Sequence, residues 1–247
     1  MQYDLKFFLK DCIRKMVDFS TTAQSRGLAA PPLQKPYPPG AALLALPRPE
    51  KWTGIGDVSV RQAIAARVSH RAFETTALTL DELAFLLWAT QGLRKPPTPA
   101  VAYRTVPSAG CRHALETYLA VFRVKDLSPG LYRYLPLEHA LVEAGRPDDL
   151  EGRVRQAVFD QRFAAKAAAT FFWTTIPERM EWRYAEASYK VIALDAGHVC
   201  QNLYLACQAI GAGTCAIAAY DQEAADALLG VDGEVEFTIY IAPVGKV

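Results

Sequence analysis

The sequence predicts an α+β fold, with helices and strands alternating irregularly around one antiparallel hairpin block. Three observations predict it. Leu115 to Val124, Leu131 to Leu135 and His139 to Glu143 are short strand patterns, the first two joined by the turn Ser128-Pro129-Gly130, and together they read as a meander. Ile192, Ala196, Val199, Leu203, Ala206 and Ile210 recur every three or four residues, which predicts a long helix over 185–210. Two more strand patterns, 168–175 and 234–242, flank that helix in sequence.

The elements follow in chain order. Leu5, Phe8, Leu9, Cys12, Ile13, Met16 and Val17 stand at helical spacing, so residues 4–19 predict an amphipathic helix. Residues 31–49 hold seven of the 16 prolines. Proline lacks a backbone N–H, so this stretch predicts an extended arm lying on its own domain or on a partner subunit. Residues 1–58 are thus an N-terminal helix and proline-rich arm, and 59–247 the main domain.

Ser59 is placed to cap a helix running to Val68, with Val60, Ala63, Ile64 and Arg67 on one face. Thr79 and Glu82 make a capping box for a second helix, which stops near Gly92. Pro96, Pro97 and Pro99 mark a loop. Residues 150–163 read as helix. The continuous apolar run 168–175 reads as a central strand. The long helix ends at Gly211 and Gly213, and a helix of that length should cross the middle of the domain. Asp221 to Leu229 is a short helix. Glu234 to Ala242 alternates, placing Val235, Phe237, Ile239 and Ile241 on one face of a final strand.

Composition bounds the function. The chain has 247 residues, 51% hydrophobic and 21% charged, which excludes general disorder. Lys plus Arg number 27 and Asp plus Glu 26, a net charge of +1. That balance argues against nucleic-acid binding and against charge-held membrane association. No apolar run approaches the roughly 20 residues needed to span a bilayer. Charges interrupt Met1 to Ser20, so no signal peptide is expected. Cys12, Cys111, Cys200, Cys207 and Cys215 are scattered, with no C-x-x-C pair, which fits a reducing cytoplasm rather than a disulfide framework or zinc site.

Four stretches carry candidate chemistry. In an extended Arg67-Val68-Ser69-His70-Arg71, positions 67, 69 and 71 point the same way and would offer two guanidiniums and a hydroxyl to a phosphate. The alternative is a solvated basic helix end. Pro107-Ser108-Ala109-Gly110 would let backbone approach a flat ligand, or is simply a strand-entry turn. Gly211 to Ala219 contains G-x-G but lacks the third glycine and the preceding strand of a dinucleotide fingerprint; a planar cofactor would lie against its small residues. Arg183-Tyr184, at the expected start of the long helix, pairs a phenol with a cation, suited to proton handling or to lining a surface. His70, His113, His139 and His198 have no metal-site spacing, and His198 is expected to be a buried helix residue. Cys207, in apolar helical company, is expected to be inert.

The order of these pieces is more telling than any one of them. Arg67-Val-Ser-His-Arg-Ala-Phe73, Leu80 to Gly92, Pro107 to Gly110, Asp195-Ala-Gly-His-Val-Cys-Gln-Asn-Leu203, Gly211 to Asp221 and Pro243-Val-Gly245 together resemble the nitroreductase superfamily of FMN enzymes. Within it, the chain resembles the SagB-type dehydrogenase branch, which includes azoline dehydrogenases of peptide natural-product clusters. The resemblance covers about 59–247.

It implies a three-layer α/β/α sandwich around a mainly antiparallel sheet, and a homodimer with the active site at the interface. The implied activity is FMN-dependent oxidoreduction of a small-molecule or peptide-derived substrate, with hydride passing through flavin N5 and NADH or NADPH as an electron donor. It implies that Arg67 and Ser69 grip the FMN phosphate and ribityl chain, and that Arg71 sits at the pyrimidine edge. Pro107, Ser108, Ala109 and Gly110 would read the ring edge. Ile217, Ala218 and Ala219 would pack on the ring and offer an N–H to N5, and Lys246 would add a phosphate contact. Arg183 and Tyr184 stand where azoline dehydrogenases carry a catalytic Lys-Tyr pair.

Val68 replaces the second arginine of the common Arg-Arg-Ser motif, and Ala187 replaces an arginine frequent in the branch. Arginine does not release its proton near neutral pH, so Arg183 would orient substrate rather than act as a base. A flavin- or partner-binding module without turnover, inside a biosynthetic complex, is the alternative. Flavin fragmentation or dehalogenation, as in relatives on the same fold, is a third.

Overall fold

The computed structural model describes residues 5–247; residues 1–4, which include the start of the expected N-terminal helix, lie outside the described residues. Seven strands form one sheet: β1 (Leu43–Ala45), β2 (Leu115–Val121), β3 (Gly130–Leu135), β4 (Ala140–Gly145), β5 (Ala169–Thr175), β6 (Ala212–Thr214) and β7 (Phe237–Lys246). Their order is β1-β4-β3-β2-β5-β7-β6, and every neighbouring pair is antiparallel. The helices are α1 (Val60–Ala66), α2 (Leu80–Gln91), α3 (Leu150–Ala157), α4 (Phe163–Lys166), α5 (Glu178–Tyr184), α6 (Ser188–Gln208) and α7 (Gln222–Leu229).

Side chains alternate across the pleat and build two cores. Leu119, Phe171, Trp173 and Val244 pack with Leu83 and Leu87 of α2 and Ile192, Val199 and Leu203 of α6. Tyr118, Phe172 and Ile241 face the other way, toward Val154 of α3, Ala164 of α4 and Leu228 of α7. The architecture is therefore the expected α+β sandwich of three layers. Every residue of β2 and β5 is buried, as a strand covered on both faces requires. Each large apolar side chain buried there contributes about 1.5–3 kcal/mol.

The expected Ser59 cap and Thr79 capping box both form, and Ser59 with Gln62 makes a capping box as well. The Ser59 hydroxyl accepts from the Gln62 N–H at 3.2 Å, and the Thr79 hydroxyl from the Glu82 N–H at 3.1 Å. Four expectations need correction. The N-terminal segment forms short 3-10 turns at Leu5–Leu9, Cys12–Lys15 and Phe19–Thr21 rather than one helix, and Leu9 and Met16 stay exposed. The 150–163 helix breaks after α3, where Phe159 and Asp160 take φ of 52° and 56°. The 185–210 helix begins only at Ser188, because Ala185 turns the chain with φ 46° and ends a separate helix, α5. β7 carries a bulge, with Trp173 paired to Tyr240 and Thr174 to Thr238, so Ile239 is extra. Ile239 thus joins the α6-side core while Ile241 joins the other, and Val235 lies outside the strand.

The proline arm is held by its carbonyls. Its prolines cannot donate to a sheet, but their C=O groups still accept. Buried Arg104 donates to the Leu33 carbonyl at 2.9 Å, Arg112 to that of Pro31 at 3.3 Å, and Arg133 to those of Lys35 and Pro36 at 2.8 and 2.9 Å. Glu116 accepts from the Lys35 N–H at 2.8 Å and pairs with Arg179 at 2.6 Å and Arg133 at 3.4 Å. Lys35 Nζ reaches Glu236. The arm then adds β1 to the sheet edge.

Candidate active site

The first group of site residues forms where α1 ends. The chain leaves α1 extended, and Ser69 makes a parallel bridge with Thr214 of β6. The His70 N–H donates to the Thr214 carbonyl at 3.0 Å. This close approach needs Gly213, since a Cβ there would stand 2.5 Å from the His70 ring. Tyr204 of α6 reaches the same point. Its Oη lies 2.9 Å from Ser69 Oγ and accepts from the Ala216 N–H at 2.8 Å. The Arg67 guanidinium sits over the Tyr204 ring at 5.3 Å.

Arg67 is half-buried and Arg71 exposed, and neither has a carboxylate partner among the described residues. Unpaired guanidiniums beside a hydroxyl fit a phosphate group, the anchor that FMN presents. Sequence reasoning missed Tyr204, because an aromatic on an apolar helix stripe is indistinguishable from core.

The second group forms around Pro107 to Gly110. Gly110 takes φ 59°, and a Cβ on it would stand 2.8 Å from Tyr184 Oη and 2.9 Å from Arg183 Cδ. The structure therefore brings 107–110 and Arg183-Tyr184 together, although the pair ends α5 rather than starting α6. Ser108 Oγ accepts from the His113 N–H at 3.0 Å.

Beneath lies Asp195, a buried carboxyl of α6. Burial raises its pKa, and the Ser108 hydroxyl and Ala109 N–H act against that shift. Its Oδ2 has no partner. His113 is buried among Arg104, Arg112 and Arg179, and burial together with Arg104 lowers its pKa to about 2.

The two groups meet different turns of α6. Tyr204 and Asp195 are nine residues apart, a rise of about 14 Å. One chain does not join them at one point.

Lys246 and Ile217 are engaged within the fold. Lys246 Nζ is held by Glu82 at 2.5 Å and by the Ile210 carbonyl, so it ties β7 to α2 and the end of α6 instead of reaching a phosphate. The Ile217 side chain lies in the opposite core, and its N–H donates to the Ile241 carbonyl at 2.8 Å. It therefore cannot offer that N–H to a ring. Ala218 and Ala219 are exposed, the Ala219 carbonyl accepting from Gln161 at 2.8 Å.

The His198 side chain is 52% exposed rather than buried, because one residue separates it from the inward stripe that Val199 occupies. Cys207 is fully buried and its thiol pKa is pushed up by burial. No group of His, Cys, Asp or Glu that could hold a metal occurs among the described residues, and none of their helices is long and apolar enough to cross a membrane.

Comparison with known proteins bears on both groups. The nitroreductase family model matches residues 64–246. The nitroreductase homologue MJ1384 of Methanocaldococcus jannaschii is 30% identical over 193 residues, 78% of this chain and 93% of that one. The trifolitoxin-processing protein TfxB of Rhizobium leguminosarum bv. trifolii is 30% identical over 112 residues, 44% of this chain and 30% of that one.

Among solved structures, a nitroreductase homologue from Ralstonia eutropha JMP134 superposes with TM-score 0.68 at 24% identity, covering 89% of this chain and 99% of that one. A chain of the E. coli microcin synthetase McbBCD complex, solved with truncated pro-MccB17 bound, superposes with TM-score 0.63 at 18% identity, covering 100% and 98%. A homologue from Exiguobacterium sibiricum, solved in complex with FMN, superposes with TM-score 0.56 at 11% identity, covering 78% and 90%. These structures share the fold. The family match spans both the Arg67 group and the Gly110 group, and on it this chain belongs to the nitroreductase family of FMN-dependent oxidoreductases.

Proposed function

We propose that the protein is a homodimeric FMN-dependent oxidoreductase of the SagB-type dehydrogenase branch, acting on a small-molecule or peptide-derived substrate. The observation that carries this reading is the convergence of Arg67, Ser69, Tyr204 and the Ala216 amide at the end of α1. Arg67 and Ser69 would hold the phosphate end of the cofactor. FMN supplies hydride acceptance and return at N5, with NADH or NADPH as the candidate donor. Arg71, exposed beside the same segment, would add positive charge where reduction builds negative charge.

Tyr184 would hold or pass a proton at Oη on the substrate side. The planar Arg183 guanidinium would orient substrate beside it. Among the relatives, a trifolitoxin-processing protein and a microcin synthetase complex favour a peptide-derived substrate.

A second copy would complete the site by bringing its Gly110 group to the Arg67 group of the first. What supports pairing is apolar surface on the helices beside these groups: Val60 and Ile64 on α1, and Leu194 on α6, are exposed.

Purified protein is expected to be yellow and dimeric by sedimentation. It is expected to be reduced by dithionite, NADH or NADPH and reoxidised by a quinone or nitroarene. A yellow protein that completes no such cycle would favour the non-turnover module, which the arginine at 183 motivates. A colourless protein that ignores added FMN contradicts both.

A further inference from the structure

The N-terminal segment does more than precede the domain. It lies along α5 and the start of α6 and is fastened there: the Gln24 N–H donates to the Trp182 carbonyl at 2.8 Å, Trp182 Nε1 to the Leu28 carbonyl at 3.0 Å, and Lys190 Nζ to the Leu9 carbonyl at 2.7 Å. Between this segment and the end of α5 is an open cleft of about 370 Å3, lined by Arg14, Phe19, Thr22, Ser25, Arg183 and Tyr184 among others.

The charge in this cleft is one-sided. Two guanidiniums line it and no Asp or Glu does. Arg183 has no hydrogen-bond or ion-pair partner among the described residues and rests on its own Tyr184 ring at 5.6 Å. Its neighbours differ. Arg112 and Arg179 have their guanidiniums engaged by backbone carbonyls and by Glu116. Arg183 adds to the positive field around Arg112, whose pKa is lowered first by burial, then by Arg179, then by Arg183. Arg14 donates through Nε to Asp11 at 2.9 Å, in a pair whose side chains are 43% and 55% exposed. Such a pair is worth little, and it leaves both Nη groups for another partner.

The two hydroxyls of the segment that line the cleft are engaged internally. Thr22 Oγ1 donates to the Phe19 carbonyl at 3.1 Å, and Ser25 Oγ to the same carbonyl at 2.8 Å. The charged donors left for a ligand are therefore two planar forks, with the exposed Gln24 amide and the Phe19 and Tyr184 rings alongside. Two forks match the two coplanar oxygens of a carboxylate.

We propose that this cleft binds a carboxylate of the substrate between Arg14 and Arg183, placing the adjoining atoms beside the Tyr184 phenol. The proposal rests on the reading of Arg183-Tyr184 as substrate-side residues and names the chemical class they select. The carboxylate belongs to a free acid or to the C-terminus of a peptide.

The test is equilibrium binding by calorimetry at low salt, on the full chain, with benzoate, benzamide, N-benzoylglycine and N-benzoylglycinamide. Both acids are expected to bind at least about 10-fold more tightly than their amides, and less tightly as salt is raised. Arg14→Gln and Arg183→Gln are each expected to weaken the acids about 5- to 10-fold, and Arg14→Lys less. FMN affinity should be unchanged in Arg14→Gln. Tighter binding of N-benzoylglycine than of benzoate assigns a peptide C-terminus; the reverse assigns a free acid. Acids that bind no better than amides, or an acid affinity untouched by Arg14→Gln, overturn the proposal. The readout needs no flavin, so failure of the oxidoreductase reading would show separately, as loss of FMN binding with carboxylate binding intact.

Discussion

Gly110 and Tyr184 touch: a side chain on Gly110, at φ 59°, would begin 2.8 Å from the Tyr184 hydroxyl. The contact joins a loop before β2 to the end of α5, and it explains why this loop position has no Cβ.

Gly110→Ala is expected to cost about 1–2 kcal/mol through its left-handed backbone. It should also displace Arg183 and Tyr184. Turnover should fall by an order of magnitude or more while the protein stays folded. A variant with wild-type turnover would remove Tyr184 from the site.

Glu116 tests the buried clamp. Glu116→Ala leaves Arg179 and Arg133 buried without their shared carboxylate, and is expected to cost about 3–5 kcal/mol. Glu143, paired with Arg146 at 2.8 Å on the surface, is the control; Glu143→Ala should cost under about 1 kcal/mol. Chemical denaturation measures both. Limited proteolysis should cut Glu116→Ala first in the arm. Equal costs would contradict the clamp.

His113 gives a pH signature. Its Nε2 faces the Ala102 carbonyl at 3.0 Å, so Nε2 carries the proton of the neutral ring. The folded pKa is lowered to about 2 from an ordinary 6.5. A lowered histidine contributes stability above its unfolded pKa and loses it as pH falls. Below about 6.5, His113 should therefore cost stability at up to about 1.4 kcal/mol per pH unit. Denaturation at pH 7, 6 and 5 should show this slope in the wild type and a shallower one in His113→Gln. Identical slopes would contradict it.

Local signals were legible in the sequence. The N-cap at Ser59, the capping box at Thr79 and the strands β2, β3 and β5 stand where residue pattern places them, because caps and alternation act over a few residues. What escaped is what the tertiary structure imposes. The turn at Ala185 puts a non-glycine residue at φ 46°, which no pattern announces, and so Arg183 and Tyr184, which end α5, were read as the start of the long helix. The bulge at Ile239 reverses the facing of one strand without disturbing its alternation.

At the site, Arg67 and Ser69 were legible as a phosphate-type pair. Tyr204 and Asp195 were not, since their partners at 216 and 108–109 are brought near only by the fold. Lys246 was read as a cation for phosphate, but it satisfies Glu82 and the end of α6.

The central claim is that the Arg67 group holds the phosphate of FMN. It is tested most directly by titrating apoprotein with FMN and following quenching of flavin fluorescence. The wild type should bind one FMN per chain, and Arg67→Ala should bind it about 2–4 kcal/mol more weakly. Riboflavin, which lacks the phosphate, should bind weakly to both alike. Equal FMN affinity in wild type and Arg67→Ala, or riboflavin binding as tight as FMN, would contradict it.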